Sequence, residues 1–233
     1  GSVAKEGAGT QTFTGANTYT GTTTITAGTL QLGDGGATGS LSTTSAISIA
    51  SGATFAINQS DTVTQGTDFS TAAISGDGGF TQSGNGTTTL NAANTYTGTT
   101  FIDGGTLVAG GDDVAATSGA LGNGGNIDFG GGTLQYATGV TQDYSSRIAN
   151  SASAIKVDTN GETVLWATAL ANTNTGGLTK EGSGLLRIQA TSDYDGATTI
   201  NGGELRIRNV SGSTGWKPGA ININNGSTLQ FTG

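Results

Sequence analysis

The chain has 233 residues, among them 43 glycines and one proline, and contains no cysteine, histidine or methionine. A Ser-His-Asp triad, a Cys-His nucleophile, a disulfide framework and a His-ligated metal are therefore all excluded. The net charge of −8 and the lack of any Lys/Arg run exclude a phosphate-neutralising surface for nucleic acid, and disfavour an anionic membrane surface.

Only 33% of the residues are hydrophobic and 6% aromatic. That suits a slender core, one or two side chains wide, better than a sandwich. Gly1-Ser2 reads as a cloning scar, and 3–233 as one continuous segment excised from a longer protein, with no leader-like or bilayer-spanning apolar run.

The first periodic stretch is VAKEGAGTQTFTGANTYTGTTTITAGTLQLG, Val3 to Gly33. Within it apolar residues alternate over short runs: Thr12-Phe13-Thr14, Thr24-Ile25-Thr26 and Leu30-Gln31-Leu32. A period of two predicts strands with one face inward, and the glycines that end each run predict sharp corners. A shorter motif, AISIASGATFAI, follows at 46–57. The long stretch then returns as FTQSGNGTTTLNAANTYTGTTFIDGGTLVAG at 80–110, and the short one as NIDFGGGTLQYA at 126–137. After an insertion at 138–177, LTKEGSGLLRIQATSDYDGATTINGGELRIR occupies 178–208 and AININNGSTLQFTG closes the chain at 220–233.

The three long copies align without a gap, starting at 3, 80 and 178. Eight positions are identical in all three: Gly7, Gly9, Tyr19, Gly21, Thr23, Ile25, Gly28 and Leu30 in the first copy. Their counterparts include Tyr96, Gly98, Gly105 and Leu107 in the second copy, and Tyr194, Gly196, Gly203 and Leu205 in the third. Such internal repetition predicts an all-β solenoid: a right-handed, single-stranded parallel β-helix of about ten coils of roughly 20–25 residues. Equivalent residues should stack, Thr on Thr and Ile on Ile, and the insertion should emerge as loops or add a coil.

At this point the residues resemble a known family. LTKEGSGLLRIQATSDYDGATTINGGELRI and ANTYTGTTTITAGTLQLG are similar to the passenger-associated transport repeat of Gram-negative autotransporters, with a KxGxG start, then YxGxT, then GxL. GALGNGGNIDFGGGTLQY resembles the segment that commonly follows it. The second copy departs with Gln82-Ser83 for Lys-Glu, and the third with Ser192-Asp193 before its tyrosine. The resemblance implies a β-helical passenger of the type V secretion pathway, on the cell surface or released, whose repeats assist export and vectorial folding. It implies a stalk or adhesin rod, with host-cell surface, extracellular matrix, a glycan or another copy as partner. The outer-membrane β-barrel of such proteins is missing from this segment, which does not itself insert into a membrane.

No catalytic, metal or cofactor site is expected. The alternative is a glycan-binding or polysaccharide-active β-helix, since paired carboxylates can cleave glycosidic bonds; the acids available are Asp103, Asp112, Asp113, Asp193 and Asp195. Asp favours turns, so their expected place is a solvated corner. GNGGNIDFG at 122–130 looks like one turn of a calcium-binding β-roll but occurs once. The repeated tyrosines are expected to cap corners with their hydroxyls in water. Trp166 lies in an apolar run and is expected in the core, leaving Trp216 as the candidate ligand contact. Lys180, Arg187, Arg206, Arg208 and Lys217, five of the eight basic residues, lie in 178–233, with Arg206 and Arg208 facing outward as a solvated face balanced by Glu181 and Glu204.

Overall fold

The structure is a computed structural model describing residues 1–114, 117–208, 219–224 and 226–232. It divides into two compact units, Gly1–Asn126 and Ile127–Gly233. Each is a β-solenoid built from short parallel strands, with about nine turns in all among the described residues, close to the expected ten.

In the first unit the strands are β1 (Val3–Lys5), β2 (Thr10–Phe13), β3 (Thr23–Ile25), β4 (Thr29–Leu32), β5 (Ile47–Ile49), β6 (Thr54–Ile57), β7 (Thr62–Thr64), β8 (Gly79–Gln82), β9 (Thr87–Leu90), β10 (Thr100–Ile102) and β11 (Thr106–Ala109). Most of them turn alternate residues inward, as in β3, β4, β5, β8, β9 and β10. Ile25, Leu30, Leu32, Ile49, Phe55 and Ile57 are wholly buried. Burial of such side chains is worth about 1.5–3 kcal/mol each, which is how so few hydrophobic residues hold the coils. Register partners lie one coil apart, from 19 residues for Thr10 and Thr29 to 25 for Thr29 and Thr54. Like stacks on like at some positions, where Thr10, Thr29 and Thr54 form one ladder and Ile25 sits beside Ile49, but not at others, where Thr23 meets Ile47 and Ile57 meets Gln82. Phe55 also meets Phe80 at 6.1 Å and Phe69 edge-on at 5.7 Å between ring centroids, favourable aromatic geometries.

Each long repeat is two coils of two strands. Copy one is β1–β2 and β3–β4; β1 pairs with β3, and β2 with β4. The short motif, β5–β6, adds a rung to both sheets. Copy two does not continue in phase. Its first strand, β8, pairs with β6, in the sheet that held the second strands of copy one. Its second strand, β9, joins a sheet begun by β7. The repeat has moved round the coil by one face.

The second unit contains β12 (Ile127–Phe129), β13 (Thr133–Tyr136), a turn of 3₁₀ helix at Ser145–Arg147, β14 (Ile155–Asp158), β15 (Thr163–Trp166), β16 (Leu178–Glu181), β17 (Leu185–Ile188), β18 (Thr198–Ile200), β19 (Glu204–Arg208), β20 (Ile221–Ile223) and β21 (Thr228–Thr232). The insertion supplies β14 and β15, so it adds strands to the stack. The same one-face step recurs: β13, the second strand of its short motif, pairs with β14, and β14 pairs with β16, the first strand of copy three. Trp166 is fully buried, as expected, and its indole N–H donates to the Tyr136 hydroxyl at 3.1 Å.

Candidate functional site

The three tyrosines share one bond. Tyr19, Tyr96 and Tyr194 hydroxyls lie 2.8, 2.8 and 2.7 Å from the Oγ1 atoms of Thr23, Thr100 and Thr198. Tyr96 and Tyr194 are completely buried. The expectation that these hydroxyls reach water is thus corrected for Tyr96 and Tyr194, while Tyr19 is half-buried. A buried phenol needs a partner, and the threonine that opens the next strand supplies it. The invariant spacing YxGxT is the signal that could have revealed it.

The corner glycines are explained by close approach. Gly28, Gly105 and Gly203 have φ of 66°, 50° and 64°. A Cβ on them would run into the carbonyl oxygens of Gly9, Gly86 and Gly184, one coil below. The same carbonyls accept the N–H groups of Thr29, Thr106 and Glu204 at 3.2, 2.9 and 2.9 Å. The KxGxG corner of one coil is therefore the seat of the GxL corner of the next. At Gly21, Gly98 and Gly196 an added Cβ would likewise strike backbone of the neighbouring coil.

Beneath the KxGxG corner lies a feature that the sequence reading missed. The Lys5 ammonium turns inward and donates to the carbonyls of Glu6, Gly7 and Ala27 at 2.9, 2.7 and 2.9 Å. Lys180, fully buried, donates to Glu181, Gly182 and Ser183 at 2.5, 2.9 and 3.2 Å. In copy two Gln82 takes the place, donating to Gly84 and Gly86 at 2.9 and 3.4 Å. Its buried Oε1 finds no hydrogen-bond partner among the described residues. Burial pushes the Lys180 amine down to about 8, although Asp158 and Glu181 pull the other way. The lysine's fixed place beside two invariant glycines was the available signal.

The anticipated carboxylates take ordinary places. Asp103 is an exposed corner residue whose N–H donates to Gln82 at 2.8 Å. Asp112 is exposed and Asp113 half-buried in the linker of the first unit. Asp193 and Asp195, in the second unit, are exposed on either side of buried Tyr194. Asp158 and Glu181 are register partners on β14 and β16. Each is engaged locally: Asp158 by Gln135 at 2.7 Å and the Asn160 N–H at 2.8 Å, Glu181 by Asn201 at 2.8 Å. Among the described residues no three acidic side chains are grouped to hold a metal, and no helix is long and apolar enough to cross a membrane. Trp216 and Lys217 lie outside the described residues.

A parallel β-solenoid in which one 30-residue pattern seats successive coils on each other is thus the class of protein these geometries define. A family model described as passenger-associated-transport-repeat matches residues 3–32, 80–109 and 178–207. The chain thus carries three passenger-associated transport repeats, in agreement with the autotransporter passenger repeat that its sequence resembles. No curated protein and no solved structure matches it.

Proposed function

We propose that this chain is a structural and interaction module of a secreted or surface-displayed autotransporter passenger, without enzymatic activity. It would act as a stalk or adhesive rod on a Gram-negative cell, and its repeats would help the chain fold as it emerges. The observation that carries this reading is the use of the eight repeated positions. They form corners, a Tyr–Thr bond and core, and each two-coil repeat offers a ready seat for the coil that follows. A chain entering from one end can add coils without waiting for distant partners, and it contains no cysteine to form a cross-link on the way.

The test is surface display. The chain is fused upstream of an outer-membrane translocator barrel and its exposure measured by protease accessibility on intact cells. Wild-type sequence should be exposed and resistant once folded. Gly105→Val, which blocks coil seating in copy two, should lower the surface-exposed, resistant fraction severalfold. Equal display of both would contradict a role of the repeats in emergence and folding.

A further inference from the structure

The third repeat differs from the other two where stacking leaves it free to. Along its second and fourth strands the inward residues stay apolar: Leu186, Ile188, Leu205 and Ile207 are all buried. The outward ones change. The positions occupied by Thr10, Thr12, Thr29 and Gln31 in copy one, and by Thr87, Thr89, Thr106 and Val108 in copy two, hold Leu185, Arg187, Glu204 and Arg206. One step further, Gly33 and Gly110 give way to Arg208, and β19 runs a residue longer than β4 or β11. Three of the four arginines of the chain are thereby placed on one sheet face, in a protein whose acidic residues outnumber its basic ones two to one.

The face is continuous. Leu165, Arg187, Arg206 and Gln230 are successive register partners on β15, β17, β19 and β21. Arg187 and Arg206 therefore stand about 4.8 Å apart on adjacent strands. Glu204 holds Arg206 through two contacts, Nε to Oε1 at 2.5 Å and Nη2 to Oε2 at 3.3 Å. Arg187 and Arg208 flank that pair, both exposed. Leu165, 38% exposed, and half-buried Leu185 put an apolar strip beside the guanidinium groups. Coil stacking does not require the arginines of copy three, since copies one and two stack with threonine, glutamine, valine or glycine at those positions.

We propose that this outer face of β15, β17, β19 and β21 binds an anionic polysaccharide, with Arg187 and Arg208 as the principal contacts and Arg206 positioned by Glu204. Guanidinium groups pair bidentately with sulfate or carboxylate. An exposed row of side chains running across four paired strands suits an extended polymer lying across the strands. The proposal rests on the surface-display reading for its biological setting, but its test is made in solution and stands or falls independently of export.

The test is binding of the 233-residue chain to immobilised heparin, a sulfated polysaccharide, and to polygalacturonate, a carboxylated one, with dextran as the neutral control. Retention on one or both polyanions, weakening as salt rises, and none on dextran is expected. Arg187→Gln/Arg208→Gln should weaken binding by about tenfold or more, as loss of charge-assisted hydrogen bonds does, with an unchanged circular dichroism spectrum. Lys156→Gln, a charge change whose amine is held by Gly131 at 2.8 Å, should leave binding as it was. No salt-sensitive retention, or equal losses in the two variants, would overturn the proposal. So would competition by poly-glutamate as effective as that by the polysaccharides, which would make an acidic peptide the partner.

Discussion

Lys180 shows how a charged residue becomes core in this chain. Its ammonium faces three carbonyls of its own corner, and burial lowers its pKa to about 8 from the usual 10.5. Between those values the unfolded chain holds more protons than the folded one, so this group's contribution to stability rises with pH across that window and is flat below it. Lys180→Met removes the effect. The stability difference between wild type and variant, measured by denaturant unfolding from pH 6 to 10.5, should be constant to about pH 7.5 and then move in favour of wild type. Parallel curves throughout would contradict the burial. Gln82 is the natural comparison, with its Oε1 orphaned in the same setting. Gln82→Lys should stabilise the chain by about 1 kcal/mol by making the corner bonds seen in the other copies; a lower denaturation midpoint would show that the second corner is built differently. The KxGxG pattern was plain in the sequence. That its lysine points inward was not, because composition rules place lysine outside.

Each two-coil repeat is held at two points, the glycine seat and the Tyr–Thr bond, and these can be broken separately. Gly203 combines φ of 64° with a blocked Cβ position over Gly184. Gly203→Ala should cost about 3 kcal/mol or more, since backbone strain and a clash against main chain add. Gly9 is equally invariant, but an added Cβ there meets nothing within 4 Å, so Gly9→Ala should lie within about 1 kcal/mol of wild type in the same thermal unfolding series. Comparable losses at both sites would remove the seat from the account. For the bond, Tyr194→Phe and Thr198→Val should each cost about 1 kcal/mol and couple in a double-mutant cycle; strict additivity would mean that the hydroxyls do not interact. Strands and corners were legible here because alternation and glycine spacing are local signals. The Tyr–Thr bond was only half legible, since invariance marked both residues without saying that they meet.

Across the chain, the sequence alignment and the spatial stacking follow different periods. The alignment treats the copies as equivalent, yet Phe80 of copy two lies on Phe55, the second strand of the preceding motif, and not on Ile47, its first. The step is taken up between copies, by β7 in the first unit and by β14 and β15 in the second. A linear repeat cannot reveal it, because the residues that change face are those that do not repeat. The outward arginines of copy three were visible as a charge bias, but only the register placed Arg187 beside Arg206.

Because the chain lacks cysteine, the stacking can be read directly by pairwise cysteine substitution. Ala56 and Thr81 are register partners on β6 and β8, within the spacing a disulfide spans. An in-phase stack would instead place Thr81 on Ser48, continuing the ladder from Ala4 through Thr24 to Ser48. Ala56→Cys/Thr81→Cys should oxidise to an intramolecular disulfide in the folded chain, and Ser48→Cys/Thr81→Cys should remain reduced. The reverse result, a bond between positions 48 and 81 and none between 56 and 81, would contradict the stepped stacking on which this account of the repeats depends.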